Sequence, residues 1–395
     1  MALAHEWLDV RAGSEKTFEV LAAAFPSADL YALSDDLGPA FASGGRTVRT
    51  TFVPRLPLVR SNRALALPLM PLAWRTASRR RYDVVVTSSH ACVKGFRPAR
   101  EALHLCYCYA PMRYVWDDHD VRSRAHRLAA LGPAPALRAW DRRSAGWVDG
   151  FAAISSAVQA RIGRYYERES VVIHPPVDTS FYRPDLDADA EAYADVEGGA
   201  PLPDGPFVLT CSRFIPYKRL DLAIGAADRL GLPVVVAGHG PGEAALREVA
   251  AAARVPVTFE VSPSDERLRR LYRAAAAFVF PALEDFGIVA VEAQACGTPV
   301  VGLAAGGSLD TVLDGTTGAL VAEQEVGAFA AGLERALAGA DRQACVDHAA
   351  TFSREAFTAR VRDWVAARGV VPPPPAPTVV TDAAAEVEEA ACSAP

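Results

Sequence analysis

Short apolar runs recur along the chain, and most are followed by a stretch with helical composition. These runs occupy residues 2–5, 29–33, 48–53, 83–88, 104–110, 150–154 and 171–174, and then 207–211, 233–238, 257–261, 277–280 and the segment from Val300. Apolar strands that alternate with helices are typical of parallel sheets covered by helices on both faces. The pattern therefore predicts an α/β protein built from doubly wound sheets.

The length of the chain bears on its domain organisation. A chain of 395 residues is too long for one ordinary core, which indicates two domains. Residues 184–206 are rich in acids, proline and glycine and contain no basic residue, so we interpret them as a linker between domains at 1–183 and 207–370. The last helix, predicted over residues 353–368, is expected to pack back on the first domain. Residues 371–395, which are rich in Pro, Ala and Glu, are predicted to be disordered.

Two carboxylates, Glu284 and Glu292, stand eight residues apart in a predicted strand–loop–helix–strand unit over residues 280–307. Between them lie Asp285, Phe286, Gly287 and Ile288, where the glycine lets a ligand approach the backbone and the helix that follows presents free N–H groups to an anion. One carboxylate can then face a sugar while the other reaches a ribose diol. The alternative is that Glu292 is an ordinary solvated helix residue.

Candidate cations follow the first strand of the second half, in the segment SRFIPYK. Arg213 and Lys218 are expected at the carboxyl edge of the sheet, where they can hold a diphosphate and offset the charge that develops as it leaves. The chain has only three lysines, at 16, 94 and 218, so a lysine here is informative, although both cations can also be surface residues. Gly13 and Ser14, in a loop before the first helix, can offer N–H groups to a phosphate or sugar, or form an ordinary helix cap.

Charge is unevenly distributed along the chain. Residues 1–183 carry 25 Lys and Arg against 17 Asp and Glu, whereas residues 184–395 carry 16 against 30. A basic first half indicates an anionic partner, and because zinc spacing and interleaved aromatic–basic repeats are missing, nucleic acid is not expected. Residues 55–81 interleave arginine with apolar residues and suit an anionic membrane surface; the alternative is a packed helical hairpin with arginines at its rim.

The sequence also bears on location. The chain lacks a signal-peptide pattern and any apolar run of membrane-spanning length, and its cysteines are scattered, which fits a reducing compartment. We therefore expect a cytoplasmic protein that is peripheral to the inner face of the cell membrane.

These motifs together resemble a known family. The second half resembles the donor domain of retaining glycosyltransferases of family 4, which have the GT-B architecture of two Rossmann-like domains facing across a cleft. Glu284 and Glu292 match the family's E-x7-E motif, Arg213 and Lys218 match its diphosphate-binding Arg and Lys, and a glycine pair at 306–307 matches one near the donor. The first half resembles a subgroup with bacterial mannosyltransferases of surface polysaccharide synthesis, through residues 5–8, 13–16, 88–91, 104–116 and 175–178.

The resemblance implies roles for these residues. It makes Arg213, Lys218 and Glu284 the catalytic set, with Glu284 on the donor sugar and the two cations on the leaving diphosphate. It assigns donor contacts to Gly13, Ser14, Tyr109, Asp285, Phe286, Gly287, Ile288 and Glu292, the last on the ribose. The implied reaction is front-face transfer of a hexose with retention, with mannose from GDP-mannose favoured, to a lipid-linked or polysaccharide acceptor bound by the first domain. It implies neither a metal nor another cofactor.

The chain departs from the family pattern at three positions. Tyr109 stands where the family usually carries a histidine, Ala12 replaces the first glycine of a Gly-Gly pair, and Glu260 stands in place of a glycine near the nucleotide base. One alternative is therefore a catalytically impaired partner that binds a nucleotide sugar or another transferase. Another is sugar epimerisation or phosphorolysis, but phosphorolysis normally needs a pyridoxal phosphate lysine, and the second half has only Lys218.

Overall fold

The protein folds into two parallel α/β sheets, as seen in a computed structural model that describes residues 1–56, 68–97, 101–116, 134–184 and 201–369. The first sheet has the order β3-β2-β1-β4-β5-β6-β7 and parallel pairing throughout. Its strands are β1 Ala2–His5, β2 Asp29–Ala32, β3 Val48–Thr50, β4 Val84–Ser89, β5 Leu103–Cys108, β6 Gly150–Ala153 and β7 Ser170–Val172. Its helices are α1 Gly13–Ala24, α2 Met70–Thr76, α3 Arg113–Trp116, α4 Ala134–Ala145 and α5 Ser156–Tyr166.

The second sheet has the order β10-β9-β8-β11-β12-β13, again with parallel pairing. Its strands are β8 Val208–Cys211, β9 Val234–Gly238, β10 Val257–Val261, β11 Ala277–Phe280, β12 Val300–Leu303 and β13 Gly318–Val321. Its helices are α6 Leu220–Leu230, α7 Glu243–Ala251, α8 Asp265–Ala274, α9 Ile288–Ala295, α10 Ser308–Thr311 and α11 Val326–Gly339, followed by α12 Arg342–Ala350 and α13 Arg354–Ala366. The two doubly wound sheets predicted from the apolar pattern are confirmed.

The strand order explains where ligands can bind. The order in which the chain adds strands reverses at the centre of each sheet, between β1 and β4 in the first and between β8 and β11 in the second. Ligands bind outside the carboxyl ends of strands at such a switch point, because the connections there leave the sheet in opposite directions and open a crevice. The loops after β1, β8 and β11 carry the predicted glycine, cation and carboxylate motifs.

The C-terminal end of the chain connects the two domains. Helix α13 follows the second domain yet packs on α1 of the first, where the Arg362 guanidinium donates to the Ala24 carbonyl over 2.8 Å. Val177 also forms a parallel bridge with Ser353. The return of the last helix, expected from the sequence, is therefore present. Most of the proposed linker (185–200) and the proposed disordered tail (371–395) lie outside the described residues.

Several element boundaries differ from the sequence pattern. The strand expected over 48–53 ends at Thr50, since a 3₁₀ turn with Pro54 at its first turn follows. Helix α9 begins at Ile288 rather than near Val291, so packing overrides the weak helix propensity of its branched residues. Part of the proposed membrane-facing segment, residues 57–67, lies outside the described residues. Within the described ranges, no helix is both long and apolar enough to span a membrane.

Candidate active site

A cavity of about 830 Å³ lies between the two domains at the carboxyl edges of both sheets. Its walls come from the loops after β1, β5, β8 and β11, together with α1 and α9. All of the residues predicted from the sequence to act on a donor line this one cavity: Gly13, Ser14, Tyr109, Arg213, Lys218, Glu284, Asp285, Phe286, Gly287, Ile288 and Glu292. The structure therefore brings together motifs that are far apart in the sequence.

Lys218 lies in the short 3₁₀ turn that follows β8, and its side chain is buried. Its Nζ donates to Glu284 Oε1, so the candidate cation and the candidate carboxylate are in contact. Burial, together with the guanidinium groups of Arg213 and Arg113, lowers the pKa of Lys218 to about 7, whereas the charge of Asp285 acts in the opposite direction. A buried ammonium in this position gains from an added anion, because the anion offsets the lost hydration.

Glu292 lies one turn into α9 and is only 8% exposed. Its Oε2 accepts a hydrogen bond of 3.2 Å from the Tyr272 hydroxyl. Burial raises the pKa of Glu292 to about 7, an effect that the charge of Lys16 and the Tyr272 hydrogen bond oppose. Glu292 is therefore not a solvated helix residue but a buried carboxyl on the cavity wall, with lone pairs left for a ligand hydroxyl.

The raised pKa of Glu292 predicts a pH-dependent effect of Glu292→Gln on stability. The folded carboxyl holds its proton up to about pH 7, above the ordinary value of 4.5, so the wild-type protein loses stability as pH rises through that window. Glutamine has no proton to lose. The variant should therefore gain stability relative to the wild type, by about 3 kcal/mol at most, between about pH 5 and pH 8. Denaturant unfolding at both pH values measures this difference, with Glu325→Gln, an exposed position outside the cavity, as the control. A gain in stability that stays constant or falls as pH rises would contradict the raised pKa of Glu292.

The loop that carries Glu284 is held by glycines. Gly287 has a φ of 91°, and a Cβ there would lie 2.7 Å from the Phe280 ring. The Gly307 amide donates to the Glu284 carbonyl over 2.8 Å, and a Cβ on Gly307 would lie 2.2 Å from the Phe286 Cα. The glycine pair recognised in the sequence thus lets β12's loop pack directly on the backbone of the Glu284 loop. The Phe286 ring is buried, so the loop offers a ligand mainly its backbone.

Asp285 faces the first domain. Its carboxylate pairs with two arginines across the cleft, with Arg113 at 2.5 Å and with Arg161. Ser156, at the start of α5, also donates to the Asp310 carboxylate over 2.9 Å. The two domains are therefore in direct contact beside the cavity. The sequence placed Asp285 among the donor contacts but gave no role to Arg113 or Arg161, because pairing between domains has no local sequence signature.

Comparison with known proteins gives two matches to family models. The model described as Glycosyltransferase Family 4 matches residues 12–181, and the model described as Glycosyl transferases group 1 matches residues 197–352. The two matched segments correspond to the two domains, which have the GT-B fold. This agrees with the architecture predicted from the resemblance.

Solved structures share the fold of this GT-B protein. The Anabaena protein HepE in complex with UDP aligns with a TM-score of 0.67 and 17% identity, covering 93% of this chain and 100% of that one. Sucrose-phosphate synthase from Thermosynechococcus elongatus aligns with a TM-score of 0.68 and 21% identity, covering 93% and 99%. At these identities the likeness shows the fold alone.

Curated relatives are similar over one part of the chain. D-inositol 3-phosphate glycosyltransferase of Mycobacterium sp. (strain JLS) is 41% identical over 194 residues, which are 46% of this chain and 43% of the relative. The same enzyme of Mycobacterium bovis (strain BCG / Pasteur 1173P2) is 40% identical over 206 residues, 47% of this chain and 41% of the relative. The matched part is thus less than half the length of these relatives.

Tyr109 is one position where this GT-B protein departs from the family pattern. Its hydroxyl donates to the Ser14 carbonyl and accepts from the Ser88 hydroxyl, both over 3.0 Å. Ser88 also lies 3.0 Å from the His5 ring. Tyr109 therefore fixes the first turn of α1, where Gly13 lies against Ile288 of α9. The loop expected from the sequence at these two residues is already helical. Of the other two departures, Ala12 also lies on the cavity wall, whereas Glu260 is buried and paired with Arg267.

His90 is a cavity residue to which the sequence analysis gave no role. It follows β4, and its partly exposed ring lies edge-on to Trp7, with ring centroids 4.6 Å apart. Burial lowers the pKa of His90 to about 3, so its imidazole is neutral on the cavity wall. Its position directly after a strand at the switch point was the signal that could have identified it. Among the described residues, no cluster of three His, Cys, Asp or Glu side chains could hold a metal ion.

Proposed function

We propose that this protein transfers a hexose from a nucleoside diphosphate sugar to an acceptor, with retention of anomeric configuration. The observation that carries the proposal is that Arg213 and Lys218, and Glu284 and Glu292, line one cavity between the two domains. Cations for a diphosphate and carboxylates for hydroxyl groups are the groups such a donor needs. The two matching family models support the same class of reaction.

In this mechanism the diphosphate lies between Arg213 and Lys218, near the N-terminus of α9. Glu292 accepts hydrogen bonds from the ribose hydroxyls, and Glu284 contacts the transferred sugar. As the bond between the sugar and the phosphate breaks, the cations stabilise the charge that collects on the leaving diphosphate. Its released oxygen takes the proton of the attacking acceptor hydroxyl on the same face, which accounts for retention.

We favour mannose from GDP-mannose as the donor and a lipid-linked or polysaccharide acceptor at the inner face of the cell membrane, approached through residues 55–81. The resemblance of the first half to mannosyltransferases of surface polysaccharide and its basic charge support this choice. The solved HepE complexes are described with UDP and with UDP-glucose, so uridine donors are the principal competitors.

A donor screen tests the proposed function. We expect GDP-mannose to raise the thermal unfolding temperature more than other GDP, UDP or ADP sugars, because a ligand that binds only the folded state stabilises it. Release of the nucleoside diphosphate should then increase when a lipid-linked or glycan acceptor is added. A shift confined to uridine or adenine donors overturns the choice of base. No shift and no turnover with any nucleotide sugar overturns the proposed function itself.

A second candidate function is a non-catalytic nucleotide-sugar-binding partner of another transferase. The observation in its favour is that the Tyr109 hydroxyl is occupied by Ser14 and Ser88, so this position offers a donor sugar no free hydrogen-bonding group comparable to an imidazole. Donor binding without turnover in the wild type, together with turnover in Tyr109→His, would favour this candidate. Turnover in the wild type that Tyr109→His does not increase would exclude it.

A further inference from the structure

A second cavity, of about 680 Å³, lies on the first domain between α2, α4 and the turn Val93–Gly95. It shares no lining residue with the cavity between the domains. Its described walls come from Pro71, Leu72, Arg75, Gly95, Arg97, Trp140, Arg143 and Trp147. The mechanism proposed above uses none of these residues.

The charged side chains in the described lining of this cavity are all positive. Three guanidinium groups line it, from Arg75, Arg97 and Arg143, and its described lining includes no carboxylate. Arg75 and Arg143 are exposed, and neither forms an ion pair with another described residue. A guanidinium group binds phosphate oxygens in a bidentate fork, so the cavity is complementary to a phosphate-bearing ligand.

The floor of the cavity is apolar. The Trp140 ring packs against the backbone of Gly95, where a Cβ would lie 2.8 Å from the ring. Trp147 is partly exposed at the edge. On α2, Leu72 is 53% exposed, and Leu69 just before the helix is 37% exposed, so the apolar surface continues outward from the cavity. Aromatic residues with adjoining cations are the composition of membrane–water interfaces.

We propose that this cavity binds the phosphate headgroup and the first chain segment of an anionic membrane lipid. The guanidinium groups hold the phosphate, while the two tryptophans and Leu72 contact the chain. The exposed leucines favour a lipid over a nucleic acid, because stacked bases gain nothing from an aliphatic surface. The inference deepens the proposed membrane association and rests on it, but not on the transfer reaction. It extends the contact from residues 55–81 to Arg97, α4 and Trp147.

Vesicle binding by the full chain tests this inference. The wild type should sediment with vesicles that contain phosphatidylglycerol and not with phosphatidylcholine alone. Arg75→Ala/Arg143→Ala should bind the anionic vesicles about 30-fold more weakly, since each cation near an anionic surface contributes about 1 kcal/mol, or about fivefold. The matched control is Arg164→Ala/Arg229→Ala, which removes the same charge from exposed positions outside both cavities. If the two double variants lose vesicle binding equally, the loss depends only on net charge, and the proposal of a lipid site in this cavity is overturned.

A neutral variant and soluble ligands complete the test. Trp147→Ala changes no charge and should also weaken vesicle binding several-fold, and unchanged binding would contradict the proposed chain contact. Inorganic phosphate and glycerol 3-phosphate should give little thermal stabilisation; a shift as large as that given by a short-chain phosphatidylglycerol makes free phosphate the occupant. A different result is that the wild type binds single-stranded oligonucleotides and no vesicles, with the oligonucleotide binding weakened by these variants. That result would overturn the proposal that the ligand is a lipid. Donor-induced stabilisation should stay unchanged in all of these variants, so failure of the proposed transferase would be seen separately.

Discussion

Lys218→Met should lower the turnover of the donor by about 10²- to 10³-fold while the protein stays folded. Lys218 is the buried cation on the wall of the cavity, in contact with Glu284, and its ammonium would meet the charge that develops on the leaving diphosphate. Methionine keeps much of the side-chain volume but supplies neither charge nor donor. The loss should appear in kcat as well as in kcat/KM, because the interaction strengthens as the bond breaks.

The neighbouring Arg219 provides the matched control for this prediction. Arg219 pairs with Asp221 at 3.1 Å and does not line the cavity. Arg219→Met also removes one cation from the same turn and should keep turnover within a few-fold of the wild type. Full turnover in Lys218→Met, or equal losses in the two variants, would remove Lys218 from the mechanism. Circular dichroism and thermal unfolding show whether each variant is folded.

Lys94→Met should lower the free energy of unfolding by about 3–5 kcal/mol. The Lys94 ammonium lies 2.8 Å from the Asp141 carboxylate, and both side chains are fully buried. Burial lowers the pKa of Lys94, but the Asp141 charge outweighs this effect and holds the pKa above its ordinary value. Removing the ammonium leaves a buried carboxylate whose other oxygen accepts hydrogen bonds from Trp116 and Tyr166. Urea unfolding of the full chain measures the loss.

A second substitution separates the unpaired charge from lost packing. Asp141→Asn added to Lys94→Met removes the charge and keeps the acceptor for Trp116 and Tyr166, so the double variant should be more stable than Lys94→Met alone. Lys16→Met is the control, since Lys16 lies 3.7 Å from Asp265 with its side chain 40% exposed, and its loss should change stability by less than about 1 kcal/mol. A double variant that is less stable than the single one would contradict the ion-pair explanation.

The sequence predicted the parts of the site that follow strands. Arg213 and Lys218 come after β8 and Glu284 after β11, and β8 and β11 are adjacent at the switch point. A parallel sheet gathers the residues after its strands at one edge, so an apolar strand pattern is enough to bring these side chains together. The same reasoning placed Gly13 and Ser14 at the matching edge of the first sheet.

Other parts of the site depend on contacts that no local pattern records. Asp285 pairs with Arg113 and Arg161 only because the two domains close on each other. Tyr109 was predicted to face a donor sugar, yet its hydroxyl is bound to the Ser14 carbonyl, a backbone group that is invisible in the sequence. The basic cavity beside α4 also joins residues from separate elements, which sequence spacing does not bring together.

In the proposed mechanism, the loop of Arg213 and Lys218 and the segment from Glu284 to Glu292 hold one activated sugar between them. Hydrogen–deuterium exchange of the full chain, with and without a nucleoside diphosphate sugar, measures this directly. We predict that peptides covering residues 212–218 and 284–292 gain protection together, and that Lys218→Met loses both changes. Protection of only one of these loops, or of neither while another surface is protected, would contradict the account.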